Sequence, residues 1–438
     1  MASFIRDLLS VGLSKGGIIF FGLIQNIIIA RVLGPELNGV IAALIVYPSL
    51  FMIVGSLGVR QSTAYYIAKG TFSEEQIKTA VSQIWILSTV FSLLVTYVLI
   101  TYFSNSGKDE LLVLLAIAPI PFALFNTYNS GVYLGKNEIQ SFNKINWLPP
   151  LFVLLAVVLF VVIIRFSVAG VLLAKIIGPL IMSLIMLFKN RFIKAFSFHF
   201  EFKVIKSLMS LGIVYAIALM VINLNYRIDV ILIDKLSTNY ATGIYSKGAA
   251  LIEYMWQIPM LLSTIIFARS ANSKNSNLFS YKVCQLLRIS IAIIILACIV
   301  LAFLAPWIID LLYGEEFLES GTVLRLLIPG VVLLTIFKVL NMDMAGRGKP
   351  WISLKAMVPA LLLNMILNII WIPKYAANGA SLASTISYSI AAVLFLFVYS
   401  KETGIPVREI LGYRMKDFRA IQELAISALK KSKVQNEN

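Results

Sequence analysis

The sequence predicts an all-α polytopic membrane protein, with about twelve transmembrane helices in two six-helix bundles that repeat in parallel. Three observations lead there. Apolar residues make up 59% of the 438-residue chain, only 13% are charged, and the mean hydropathy is +0.89; an ordinary soluble domain carries roughly 25% charged residues. Basic residues cluster between alternate apolar segments, and the chain repeats itself across its midpoint.

About 20 apolar residues are needed per crossing. On that ruler the spans are Gly12–Arg31, Gly39–Leu57, Ala80–Phe103, Leu111–Leu134, Trp147–Ile164, Val168–Phe188, Ser207–Ile233, Gly243–Phe267, Leu286–Ile309, Gly321–Ala345, Ile352–Ile372 and Ala376–Tyr399. The first ten residues, MASFIRDLLS, lack the layout of a cleavable signal peptide, so the first span is expected to stay. Placing the N-terminus in the cytoplasm and alternating puts 27 Lys/Arg in inner segments, five in outer segments (Arg31, Lys108, Arg165, Lys235, Lys374) and five inside helices. Such a bias is the positive-inside rule, and a wrong helix count would scramble it. Both termini are therefore expected on the cytoplasmic side of the membrane.

The repeat sets the domain organisation. IIIARVLGPELNGVI (Ile27–Ile41) has the layout of Val230–Tyr245, YLGKNEIQ (Tyr133–Gln140) that of MAGRGKPW (Met344–Trp351), and AGVLLA (Ala169–Ala174) that of NGASLA (Asn378–Ala383). The offsets between paired glycines agree: 204 for Gly39 and Gly243, 209 for Gly170 and Gly379, 211 for Gly135 and Gly346. Residues 1–200 and 201–400 are read as the two bundles, and 401–438 as a cytoplasmic tail. With an even number of helices per copy, the copies share one orientation and are expected to hold substrate at their interface. In the tail, Phe418, Ile421, Leu424, Ala425 and Ala428 recur at helical spacing opposite Arg419, Lys430 and Lys431, the pattern of an interfacial helix on anionic lipid.

Several function classes fall away. No extramembrane segment is long enough to fold separately. Cys284 and Cys298 make neither a disulfide framework nor a metal-ligand spacing, and His199, the sole histidine, stands in a polar loop. The net charge of +16 follows topology rather than a nucleic-acid face, so no nucleic acid is expected as a partner.

Chemistry is left to the charges inside the helices. A charged side chain near the bilayer centre costs at least about 2.5–3.5 kcal/mol, so each needs a reason. Lys175, Arg227, Lys247, Arg325 and Lys338 stand against two acids, Asp229 and Glu253, which predicts a cavity that is cationic on balance and an anionic cargo. Lys and Arg suit phosphate, and intrahelical amides such as Gln25 and Asn26 suit sugars. Arg325 and Lys175 also have a snorkelling alternative near helix ends, and Asp229 and Glu253 are read as counter-ions or ion-coupling groups.

The runs LLIPGVVLL, MAGRGKP and LLLNMILNIIWIPKYAANGASLAS between Leu326 and Ser384, with IIIARVLGPELNGV near the start and RIDVILIDKLSTNYATGIYSKGA in the middle, resemble one family over nearly the whole chain. It is the bacterial polysaccharide (O-antigen, Wzx-type) flippases of the multidrug/oligosaccharidyl-lipid/polysaccharide (MOP) exporter superfamily. The segment Leu363–Pro373 is the most specific part. The resemblance implies a MATE-like pair of bundles in a V around a central cavity, alternating access, and an undecaprenyl-pyrophosphate-linked oligosaccharide as cargo. Arg227, Lys247 and Glu253 fall where such proteins line their cavity, and Ala376 replaces an expected glycine. Lipid II flippases carry arginines near the positions of Gln25 and Met52, and multidrug exporters usually have acid-rich cavities; both fit less well.

The reading is therefore a transporter, not an enzyme, needing no cofactor and driven by a proton or sodium gradient or by membrane potential. Expected partners are the lipid-linked glycan, membrane lipids, and polysaccharide polymerase and chain-length proteins. Two alternatives stand: a small-molecule antiporter served by Asp229 and Glu253, and a glycan polymerase or ligase, which would ordinarily show a long outer loop.

Overall fold

The computed structural model describes residues 2–136, 138–196, 200–257, 266, 270 and 276–413. His199 and the amphipathic stretch of the tail lie outside them. The described chain is helical, with no β-strand among the described residues. In order the helices are α1 (Ala2–Val54), α2 (Val59–Lys69), α3 (Glu74–Phe103), α4 (Glu110–Ile117), α5 (Ile120–Gly135), α6 (Ile139–Asn146), α7 (Leu148–Val157), α8 (Ser167–Lys189), α9 (Phe202–Leu236), α10 (Asn239–Met255), α11 (Ser276–Tyr313), α12 (Glu319–Gly346), α13 (Leu354–Thr403) and α14 (Val407–Leu411).

Among the described residues nine helical stretches are long and apolar enough to cross a membrane. Two of them double back. α1 breaks at Gly34 (φ 67°, ψ 177°) and α13 at Ala376 (φ 47°, ψ −126°), so each supplies two of the expected spans. The eighth expected span opens as α10, and its later residues lie outside the described ones. Most observed ends fall within a few residues of the hydropathy ruler, because burial in hydrocarbon selects both, while α1, α3 and α11 begin six to ten residues earlier in more polar sequence. The exception is α2, which occupies part of a segment read as a loop; Leu57 and Gly58, both at positive φ, break it from α1.

Local chemistry accounts for the joints. Pro35 follows Gly34 and takes the first turn of the second arm of α1, where a missing N–H does no harm. The buried Asn38 amide donates to Gly34 O at 2.7 Å and Ile29 O at 3.1 Å, covering carbonyls that the break releases. Ser73 and Gln76 form a reciprocal capping box at the start of α3. Asp109 caps α4 by accepting from Leu112 N.

Contacts divide the chain into two units. The first holds residues 1–249 with 306–323 and 364–383. Its packing carries the repeat. A Cβ on Gly39 would stand 1.8 Å from Asn239 O, and one on Gly243 would stand 1.9 Å from Pro35 O. The contact is reciprocal, since Asn239 and Gly243 follow Pro35 and Gly39 by the same offset of 204. Gly170 and Gly379 likewise abut the backbone carbonyls of Phe160 and Trp371. At the same end of this unit the Arg31 guanidinium donates to the carbonyls of Asp310, Leu311 and Leu312, capping the last turn of α11. Toward the opposite end Val59, Tyr128, Met186, Phe192 and Leu208 form a buried apolar cluster.

The second unit holds residues 250–305, 324–363 and 384 onward. There Phe337 of α12 packs edge-on against Phe395 of α13, and the Arg288 side chain caps α14 through Glu409 O and Ile410 O.

Candidate functional site

The acids decide what the interior charges can do. Asp229 on α9 is fully buried; Tyr245 Oη donates to it at 2.9 Å and Asn368 Nδ2 at 2.7 Å. Asn368 and Asn364 sit one helical turn apart on α13, and Asn364 Nδ2 reaches the backbone and side-chain oxygens of Asn225 at 3.3 and 3.4 Å. The two asparagines of the Leu363–Pro373 segment thus hold α13 against α9, Asn364 through Asn225 and Asn368 as a donor to the buried carboxylate of Asp229.

The sequence reading counted two interior acids. The structure corrects this, because Asp234 and Asp343 are buried as well, at 1% and 0% exposure. Asp234 accepts from Ser104 Oγ, Asn105 N and Ser106 Oγ at 2.7, 3.0 and 3.0 Å, clamping the end of α9 to the turn after α3. Asp343 accepts from Ser270 Oγ at 2.6 Å, Tyr399 Oη at 2.7 Å, Ser280 Oγ, and Arg347 Nε at 3.4 Å. Both lie within a few residues of a helix end, where charge reads as topology, yet each is saturated by donors from other segments. Four acids rather than two then stand against the five interior cations, which narrows the excess of positive charge to a local one.

That local excess lies in the first unit. Lys247 on α10 is 5% exposed, its Nζ 3.5 Å from Asn26 O and 5.5 Å from the centre of the Tyr313 ring. Lys175 on α8 is half-buried and belongs to the same unit. Among the described residues no hydrogen bond or ion pair engages the Lys175 ammonium. It stands one turn before Pro179, which cannot donate to the Lys175 carbonyl, and Asn126 Nδ2 supports the bend by donating to Pro179 O at 2.9 Å.

Lys175 also lines a cavity of about 330 Å³ enclosed by α1, α4, α7, α8 and the turn before α5. Gln25 is in its wall, with Nε2 donating to Pro150 O at 2.6 Å. So Gln25, Asn26, Lys175 and Lys247 come together in one unit. The remaining candidates fall elsewhere. Arg227 is half-buried on α9 close to Asp229, and Glu253 is half-buried on α10. In the second unit Lys338 Nζ lies 4.0 Å over the Trp256 ring, while Arg325 is exposed and donates to Ala302 O at 2.9 Å, tying α12 to α11. No cluster of His, Cys, Asp or Glu with metal-binding potential occurs among the described residues.

Comparison with known proteins places this geometry. The capsular polysaccharide biosynthesis protein CapF of Staphylococcus aureus is 23% identical over 368 residues, covering 82% of this chain and 89% of CapF. Among solved structures, lipid II flippase MurJ in an inward closed conformation aligns with a TM-score of 0.68 at 17% identity, over 96% of each chain. A multidrug resistance MATE family transporter of the MOP superfamily, in an inward-facing conformation, aligns with a TM-score of 0.68 at 15% identity, over 88% of this chain and 94% of that one. The fold is thus that of MurJ and MATE transporters. A family model described as "Polysaccharide biosynthesis protein" matches residues 28–322, so the chain, a multi-pass membrane protein of transporter fold, belongs to the polysaccharide biosynthesis protein family.

Proposed function

We propose that the protein is a flippase that carries an undecaprenyl-pyrophosphate-linked oligosaccharide, a repeat unit of O-antigen or of capsular or exopolysaccharide, across the bacterial cytoplasmic membrane by alternating access. The observation that carries this reading is the pair Lys175 and Lys247. Two cations held in one membrane-embedded unit are unfavourable without an anion to share them. A diphosphate relieves both at once, whereas a cationic drug adds to the positive charge.

Membership of a polysaccharide biosynthesis family supports a glycan cargo. Asn26, whose backbone carbonyl faces Lys247, supplies an amide for polar groups near the phosphates. Asp229, with its donors on α10 and α13, is the proposed coupling site for a proton or sodium ion. Both termini lie in the cytoplasm under this reading, and polymerase and chain-length proteins receive the product outside.

The test is leaflet-resolved accessibility of an undecaprenyl-pyrophosphate oligosaccharide in proteoliposomes under an imposed gradient. Wild type translocates it, while Lys175→Gln and Lys247→Gln lose at least about tenfold in rate, the consequence of removing one charge-assisted contact of about 1.5–3 kcal/mol. Wild type that fails under every gradient, or folded variants that flip normally, defeats the reading.

A further inference from the structure

We infer that the Lys175 cavity takes the junction between the prenyl chain and its diphosphate, so that this site reads the lipid end of the cargo and is indifferent to the sugar. This rests on the reading of Lys175 as a phosphate ligand and goes beyond it in saying what fills the space beside the ammonium.

The walls carry the inference. Of fifteen lining residues, only Gln25 and Lys175 have polar side chains. Gln25 already donates to Pro150 O. The rest is apolar, with Ile18, Ile45, Met52, Leu115, Val153 and Leu172 beside five prolines. A sugar placed here would bury hydroxyls without partners, an unfavourable exchange for each one. Water gains little more in a space with so few polar partners.

A ligand that matches must be hydrocarbon over most of its surface and anionic at one end. Charge complementarity with Lys175 fixes where that end lies, and Lys247 in the same unit adds a second positive charge for a group bearing more than one negative charge. The first isoprene units of a polyprenyl diphosphate have this form. A cavity of about 330 Å³ also has room for a short length of chain rather than a whole one, leaving the remainder to the membrane.

One residue lets the space be filled without disturbing its frame. Gly22 lines the cavity, and a Cβ built on it meets nothing within 4 Å. Gly22→Leu therefore places a side chain where the prenyl chain would lie, and leucine is a better helix former than glycine.

The experiment is equilibrium binding of radiolabelled farnesyl diphosphate to the purified full-length protein in nanodiscs, with inorganic pyrophosphate, farnesol, palmitate and the released oligosaccharide as competitors. Farnesyl diphosphate binds, pyrophosphate competes weakly, and the oligosaccharide does not compete. Gly22→Leu weakens farnesyl diphosphate by at least about tenfold, the effect of excluding about two methylene groups from apolar contact, and leaves pyrophosphate unchanged. Lys175→Gln weakens both.

Oligosaccharide that competes as well as farnesyl diphosphate, or palmitate that does so, overturns the inference, as does Gly22→Leu with unaltered binding. The two proposals fail separately. Transport of the lipid-linked glycan that survives Gly22→Leu sinks the inference alone, and farnesyl diphosphate bound at this cavity in a protein that moves no glycan sinks the flippase reading alone.

Discussion

Gly39 and Gly243 give the sharpest prediction. At both positions an added Cβ would meet a backbone carbonyl oxygen of the opposing helix, at 1.8 and 1.9 Å. Carbon and carbonyl oxygen come no closer than about 3.3 Å, so alanine at either position must part the second arm of α1 from α10 by about 1.5 Å. A gap of 0.5–1 Å already forfeits a quarter to a half of each dispersion contact, and overpacking a tight contact typically costs about 1–3 kcal/mol. The two substitutions demand the same separation, so whichever comes first makes room for the other. Gly39→Ala and Gly243→Ala should each destabilise by about 1–3 kcal/mol, and the double variant should fall short of their sum by at least about 1 kcal/mol. Reversible unfolding in mixed micelles, run as a double-mutant cycle, measures this. Additive losses, or a silent single variant, would refute the close crossing.

Ala376 holds a φ of 47° that glycine adopts without strain, so Ala376→Gly should raise stability by about 1 kcal/mol in the same unfolding assay. Asp234→Ala strands three donors, those of Ser104, Asn105 and Ser106, and should lower stability by about 2–4 kcal/mol with faster hydrogen exchange in the turn after α3. Lys175→Met should abolish transport and yet raise the thermal midpoint, by about 1 kcal/mol or more in stability; loss of stability instead would mean that Lys175 is already paired. Lys136→Ala removes one partner of the partly exposed Glu74, which keeps Lys78 at 2.5 Å, so stability should change by less than about 0.5 kcal/mol.

How much of this could be read from the chain depends on the range of the physics involved. The helices were legible because hydrocarbon burial selects residues one at a time, and the spans followed from local composition. The duplication was legible too, and the structure explains why its glycines persist as pairs: Gly39 and Gly243 touch. What could not be read was which long-range partner each interior charge would find. Asp229 meets Asn368 across 139 residues of sequence and Asp234 meets Ser104 across 130, and no periodicity encodes either meeting. Asp343 was in plain view inside the tenth span, but its nearness to Arg347 made it look like part of a polar helix end. Arg31, counted as a surface charge, turned out to cap α11. Of the proposed ligands, Lys175 and Lys247 could be named singly from their depth, yet their place in one unit and the apolar wall around Lys175 needed the packing.

The reciprocal glycine crossing also says something about ancestry. A contact in which Gly39 meets Asn239 and Gly243 meets Pro35 is what two identical half-length chains would make across a two-fold axis. In such a dimer any residue placed near the axis would appear twice. Once the copies were joined in one chain, each could change alone. The position equivalent to Lys175 in the second copy, aligned through AGVLLA and NGASLA, is Ser384. The cation stands on one side only. Fusion thus let one copy carry a cation where the other carries a serine, a difference that a homodimer could never encode.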